Sequence, residues 1–140
     1  MSVVFADSGY WIALWNPRDA LHRRSMAAAD ALGTSDVVTT QLVLVEALNS
    51  MADKPEYRRT FAARMVHDLE ADPSVEIVPQ TDSQFRAAVI RYASRPDQSW
   101  SLTDCASFLV MEERNITDAL AYDRDFEQAG FRALLRESRG

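Results

Sequence analysis

The sequence predicts a three-layer α/β/α sandwich around a mainly parallel sheet of four to five strands. Short apolar runs rich in β-forming residues recur at 3–6, 37–39, 75–78 and 119–122, with a further run at 131–135. Segments with helical periodicity lie between them. Pro17, Gly33, Pro55, Pro79, Pro96 and Gly130 punctuate the chain, and no repeat or linker breaks the alternation.

In chain order, Val3-Val4-Phe5-Ala6 reads as a buried strand. Residues 8–15 follow as a short helix that stops before Pro17, because a residue preceding proline is pushed out of the α region. Asp19 is placed to cap a helix running to residue 32, and Gly33 supplies its stop. Residues 37–39 form the second strand and 41–52 the next helix. Pro55 opens another helix, on which Tyr57, Phe61, Met65 and Leu69 recur every fourth residue as an apolar stripe. The third strand, 75–78, ends at Pro79. Thr81 and Gln84 have capping-box spacing ahead of Phe85, Val89 and Tyr92. After a polar loop at 95–100, Ser101 opens a helix on which Cys105, Phe108 and Leu109 share a face. Residues 119–122 form the fourth strand and 131–135 a possible fifth.

A chain of 140 residues is the size of one domain, expected to span 1–140 and to bury about two-thirds of the surface it exposes when unfolded. Apolar residues at 47% and charged residues at 26% exclude a disordered or low-complexity chain. No apolar run approaches the length of a membrane span, and the N-terminus lacks the basic region of a secretory signal. The single Cys105 can form no internal disulfide, so a cytoplasmic protein is expected. A net charge of −6 lacks the bulk basic footprint of a nucleic-acid binder. It leaves open a gathering of carboxylates around metal cations. All the basic residues but Lys54 are Arg, which suits bidentate pairing with phosphate and with carboxylate alike.

In parallel α/β sheets the ligand site lies outside the carboxyl ends of the strands, which directs attention to acidic residues there. Asp7 closes the first strand and Asp123 follows the fourth; each reads equally as a helix N-cap or as a ligand, and Asp125 competes with Asp123. Glu46 sits in the apolar helix segment Leu42-Val43-Leu44-Val45-Glu46-Ala47-Leu48, where burial would require a partner, a metal or a cleft. Asp104 has capping-box spacing from Ser101. Together these residues supply an oxygen-only donor set, which suits hard cations such as Mg²⁺ or Mn²⁺.

Across VVFADSGYWIAL, TTQLVLVEALN, SLTDCASFLVM and ALAYDRDFEQAGF the chain resembles the PIN domain family, and within it the VapC-type toxin ribonucleases of toxin–antitoxin pairs. The resemblance implies a metal-dependent endoribonuclease using Mg²⁺ or Mn²⁺, with Asp7, Glu46, Asp104 and Asp123 as catalytic and metal-binding residues. Ser8 and Thr103 match polar positions that orient ligands or substrate. The sequence departs from the family at Ala121, where Thr is frequent, and at Asp125, where His is frequent. RNA is the implied substrate, an antitoxin the implied partner, and a homodimer built on an exposed apolar face of the early helices the implied assembly, with no membrane association.

Asn49, one turn from Glu46, is a further candidate for orienting a ligand. Arg18, Arg23 and Arg24, read on the second helix, are candidates for contacting RNA, against the commoner role of a solvated face. His22 and His67 lack a partner motif, Cys105 reads as a small core residue, and Trp11 and Trp15 share a helix face suited to packing. An RNA-processing nuclease without an antitoxin and a non-catalytic binding module are alternatives. An aspartyl phosphatase at Asp7 is disfavoured, because position 9 is Gly rather than a second Asp.

Overall fold

Five short strands, β1 (Val3–Ala6), β2 (Asp36–Thr40), β3 (Val75–Val78), β4 (Asp118–Leu120) and β5 (Arg132–Ala133), form one sheet in a computed structural model that describes residues 2–136. Their order is β3-β2-β1-β4-β5 and every neighbouring pair is parallel. Phe5 stands opposite Val38 on one side and Ala119 on the other, so β1 is the central strand. The connecting helices are α1 (Ser8–Trp15), α2 (His22–Leu32), α3 (Gln41–Asn49), α4 (Glu56–Ala71), α5 (Asp82–Ser94), α6 (Leu102–Glu113) and α7 (Arg124–Gln128). Right-handed crossovers put α1–α4 over one face and α5–α7 over the other. Packing agrees: α1 lies against α2 and α3, α5 against α6, and α6 against α7.

The core follows from composition. Phe5, Ala6, Ala119 and Leu120 are fully buried in the middle of the sheet. Tyr10, Trp11, Ala13 and Trp15 bury nearly all of α1, with the Trp11 and Trp15 rings stacked. Phe108, Phe126 and Phe131 fill the opposite layer around Trp100. Cys105 is buried, as its apolar surroundings predict. Trp11 Nε1 donates to Thr39 Oγ1 at 3.1 Å, and that hydroxyl donates to the Ala6 carbonyl at 2.8 Å. This staple fixes the start of α1 to the ends of β1 and β2.

Several predicted elements differ in extent. β4 stops at Leu120, leaving Ala121 and Tyr122 outside it, because β1 offers no partner beyond Ala6. β5 is two residues rather than five; after Ala133 the chain turns, with the Arg136 N–H bonded back to the Ala133 carbonyl. The helix expected over 41–52 ends at Asn49. The Asp19 side chain accepts from the Leu21 N–H at 2.9 Å, so it caps a turn, and the helix begins at His22. Arg18 therefore sits in that turn and not on the helix.

α1 is core, and the early helices expose only scattered apolar groups, Met26 on α2 and Val45 on α3. The larger exposed groupings are Tyr57 and Phe61 at the start of α4, and Phe85, Val89, Ile90 and Tyr92 on α5. Only Ala88 of α5 is buried, so this helix rests on α6 through a small-residue face. Among the described residues no helix is long and apolar enough to cross a membrane.

Candidate active site

The strand order reverses at β1, whose neighbours β2 and β4 are reached by connections leading to opposite sides. Ligand sites of parallel sheets form outside the carboxyl ends at such a reversal. Asp7 follows β1 there, and Asp123 follows β4.

Asp7 occupies the N-cap position of α1, but its side chain accepts no capping bond. Its backbone is fixed instead: the N–H donates to the Leu120 carbonyl at 3.2 Å, and its carbonyl accepts from Tyr10. The side chain is only 4% exposed, and Oδ1 has no hydrogen-bond partner among the described residues. Burial raises its pKa well above the usual carboxylate range; the Ser8 N–H pulls the other way, and Asp104, Asp123 and Glu46 push it up again. Those contributions put Asp104, Asp123 and Glu46 within electrostatic reach of Asp7.

Asp104 is buried at the start of α6 in a reciprocal capping box. Ser101 Oγ accepts from the Asp104 N–H, and Asp104 Oδ2 accepts from the Ser101 N–H, each at 3.0 Å. Its pKa is pushed up to about 7, chiefly by burial, against the Ser101 bonds, and further by contact with the Asp125 carboxyl. Asp125 thus touches the site rather than facing away from it.

Glu46 departs from expectation in one respect. The Thr40 hydroxyl caps α3 by accepting from the Val43 N–H at 3.0 Å, and the helix buries Val43, Leu44 and Ala47 while exposing Val45 and Glu46. The helix is amphipathic, so Glu46 is not buried. It is held all the same: Ser8 Oγ donates to Glu46 Oε1 at 2.5 Å. Asp123 sits at the N-cap of α7 without a side-chain cap bond and is exposed. Partial burial, Asp125 and Glu46 raise its pKa, and Arg136 opposes them.

Thr103 is buried beside Asp104. Asn49 is exposed and makes no side-chain hydrogen bond among the described residues, so nothing ties it to Glu46. Arg18 and Arg23 are exposed and make no ion pair among the described residues, whereas Arg24 Nη1 donates to the Leu135 carbonyl at 2.8 Å and lies over the Tyr122 ring. Sequence reasoning missed Thr39, Thr40, Tyr122 and Arg136. Only Thr40 carried a signal, a capping residue just before an apolar helix.

The PIN domain family matches residues 4–132. The chain belongs to that family. A curated relative, the 23S rRNA-specific endonuclease VapC20 of Mycobacterium tuberculosis, is 28% identical over 132 residues, covering 92% of this chain and 95% of the relative. The crystal structure of M. tuberculosis VapC20, described as a sarcin-ricin loop cleaving toxin, superposes with a TM-score of 0.82 at 25% identity. It covers 93% of this chain and 96% of that one.

The donor chemistry of this PIN domain fits a hard divalent cation. Its acidic side chains offer only oxygens, and one of those, Asp7 Oδ1, is buried without a donor among the described residues. Among the described residues no three His, Cys, Asp or Glu side chains are drawn close enough to form a ready-made metal clasp.

Proposed function

We propose that this PIN domain, spanning the whole chain, is a divalent-metal-dependent endoribonuclease and acts as the toxin of a VapBC-type pair in the cytoplasm. The observation that carries the reading is Asp7: a buried carboxylate with an unpartnered oxygen, at the strand-order reversal, within electrostatic reach of Asp104, Asp123 and Glu46. A fold selected for stability alone would pair or neutralise that group.

Asp7, Glu46, Asp104 and Asp123 would hold Mg²⁺ or Mn²⁺. When bound, the cation would offset charge on the scissile phosphate and lower the pKa of an attacking water. The chain's own residues supply position. The Trp11–Thr39–Ala6 staple fixes Asp7, Ser8 orients Glu46, and the Ser101 box aims Asp104. Thr103 flanks Asp104, and Asp125 is the extra carboxylate where the family frequently has His. Neutralising these groups also makes a net charge of −6 compatible with an RNA substrate.

A structured ribosomal RNA loop is the first substrate to try, given the VapC20 relative. The antitoxin would be a small protein covering the groove, and the chain would pair with a second copy through exposed apolar residues of α5. Purified, antitoxin-free protein should cleave RNA in Mg²⁺ or Mn²⁺. Cleavage should stop in EDTA and in an Asp7→Asn variant. Cleavage that persists in both would overturn the reading; RNA binding without cleavage or metal uptake would favour a binding module.

A further inference from the structure

The chain immediately before Asp123 carries an aromatic ring flanked by two guanidinium groups. Tyr122 is 40% exposed. The Arg136 guanidinium lies 4.9 Å from its ring centroid and that of Arg24 lies 5.7 Å away. Both arginines are fixed by backbone carbonyls: Arg136 Nη1 donates to Tyr122 at 2.9 Å, and Arg24 Nη1 to Leu135 at 2.8 Å. Two segments far apart in sequence are thereby tied to the residue preceding a site carboxylate.

Arg86, Arg91, Arg95 and Arg114 are each matched to a carboxylate. Arg24 makes no ion pair among the described residues. Arg136 pairs with Glu127 at 3.3 Å and also acts electrostatically on Asp123. A guanidinium carries five N–H donors, so one carbonyl bond leaves most of Arg24 free for an incoming acceptor. Ring stacking holds the fork in place and lowers the entropy lost on binding.

Acidic residues dominate this edge of the sheet, and an RNA strand approaching them meets repulsion on either side of the cleaved phosphate. Fixed cations beside Asp123 are where the neighbouring phosphates would be held. We propose that Arg24, Tyr122 and Arg136 form a clamp for a backbone phosphate of the RNA strand adjacent to the scissile bond, with Tyr122 setting the geometry of both guanidiniums. This inference rests on the nuclease reading above.

The test measures RNA binding by fluorescence anisotropy in an Asp7→Asn background, where no cleavage interferes, using a labelled ribosomal-loop RNA hairpin. Arg24→Gln and Arg136→Gln should each weaken binding about tenfold. Each should also lower the slope of log K against log salt by about 0.7, the loss of one phosphate contact. Arg→Lys at either position should restore the slope while recovering only part of the affinity. Tyr122→Ala should weaken binding with the slope nearly kept, and Tyr122→Phe should bind like the parent. With Asp7 restored, the Gln variants should raise KM more than they lower kcat.

Parental affinity and slope in both Gln variants, with wild-type cleavage intact, would overturn the clamp and leave the nuclease reading standing. Loss of poly-glutamate binding without loss of RNA binding would also overturn it, and would assign the cluster to an acidic protein partner. A wild type that neither binds nor cleaves RNA removes both readings. Where a Gln variant melts early, the Lys exchange decides: a slope lowered by one phosphate contact there overturns the proposal.

Discussion

Asp7 tests the site at the scale of one residue. Its carboxyl is buried and pushed well above the ordinary range, chiefly by desolvation. An acid whose folded pKa is raised is harmless to stability below its unfolded value, near 4, and destabilises increasingly as pH climbs to the folded value. Asp7→Asn removes that penalty. In EDTA at pH 8 the variant should melt higher than wild type by the equivalent of about 1–3 kcal/mol, with the gap closing at pH 4, while cleavage is lost. Thermal melts at both pH values check it; a variant less stable at pH 8 removes the strain assigned to Asp7. Ser8 supports Glu46 through one 2.5 Å bond. Ser8→Ala should weaken Mn²⁺ binding about 10–100-fold, as outer-shell losses typically do, and calorimetric titration reads it directly. The carboxylates were legible in the sequence because each follows a strand or stands in a helix that needs its charge explained. Their partners were not: Ser8 and Glu46 meet across 38 residues, and the Asp104–Asp125 contact depends on how α7 docks against α6.

The elements show why the fold was easier to read than its edges. Val3–Ala6 and Val75–Val78 are bounded by sequence signals, an acidic residue after one and Pro79 after the other, and both appear as predicted. The Thr81–Gln84 and Ser101–Asp104 boxes are local devices, and both form. β4 and β5 were overextended, because a strand lasts only as long as its neighbour and neighbours are set by topology. α7, at five residues, is too short for a periodic pattern and was signalled only by the N-cap reading of Asp123. Asp19 was a true cap of the wrong turn. Thr40 joins this scale to the site, since it starts the helix that presents Glu46. Thr40→Ala should cost about 1 kcal/mol through the lost Val43 N–H bond. Urea unfolding would show a lower midpoint at unchanged m-value, and an unmoved midpoint would mean that α3 is held by packing alone.

For the molecule as a whole, the unexplained surface is apolar. Phe85, Val89 and Tyr92 recur along one stripe of α5, with Ile90 beside them at 70% exposed. Periodicity correctly marked the stripe as a helix face, but it could not reveal that the face looks outward, because α5 meets α6 through Ala88 instead. Contiguous exposed apolar groups of this size mark interfaces more often than free surface. A second copy is the occupant that the VapC-type reading favours, and a self-complementary helix face suits a two-fold pairing. A charge placed in the middle of such an interface would be desolvated without a partner and cost several kcal/mol. Ile90→Glu should therefore halve the mass seen by sedimentation velocity at micromolar concentration while leaving the monomer folded, since Ile90 contributes little to the core. Its secondary structure by circular dichroism should match wild type. A wild type that sediments as a monomer, or a variant that remains dimeric, would move the self-association surface away from α5, leaving Tyr57 and Phe61 on α4 as the next face to charge.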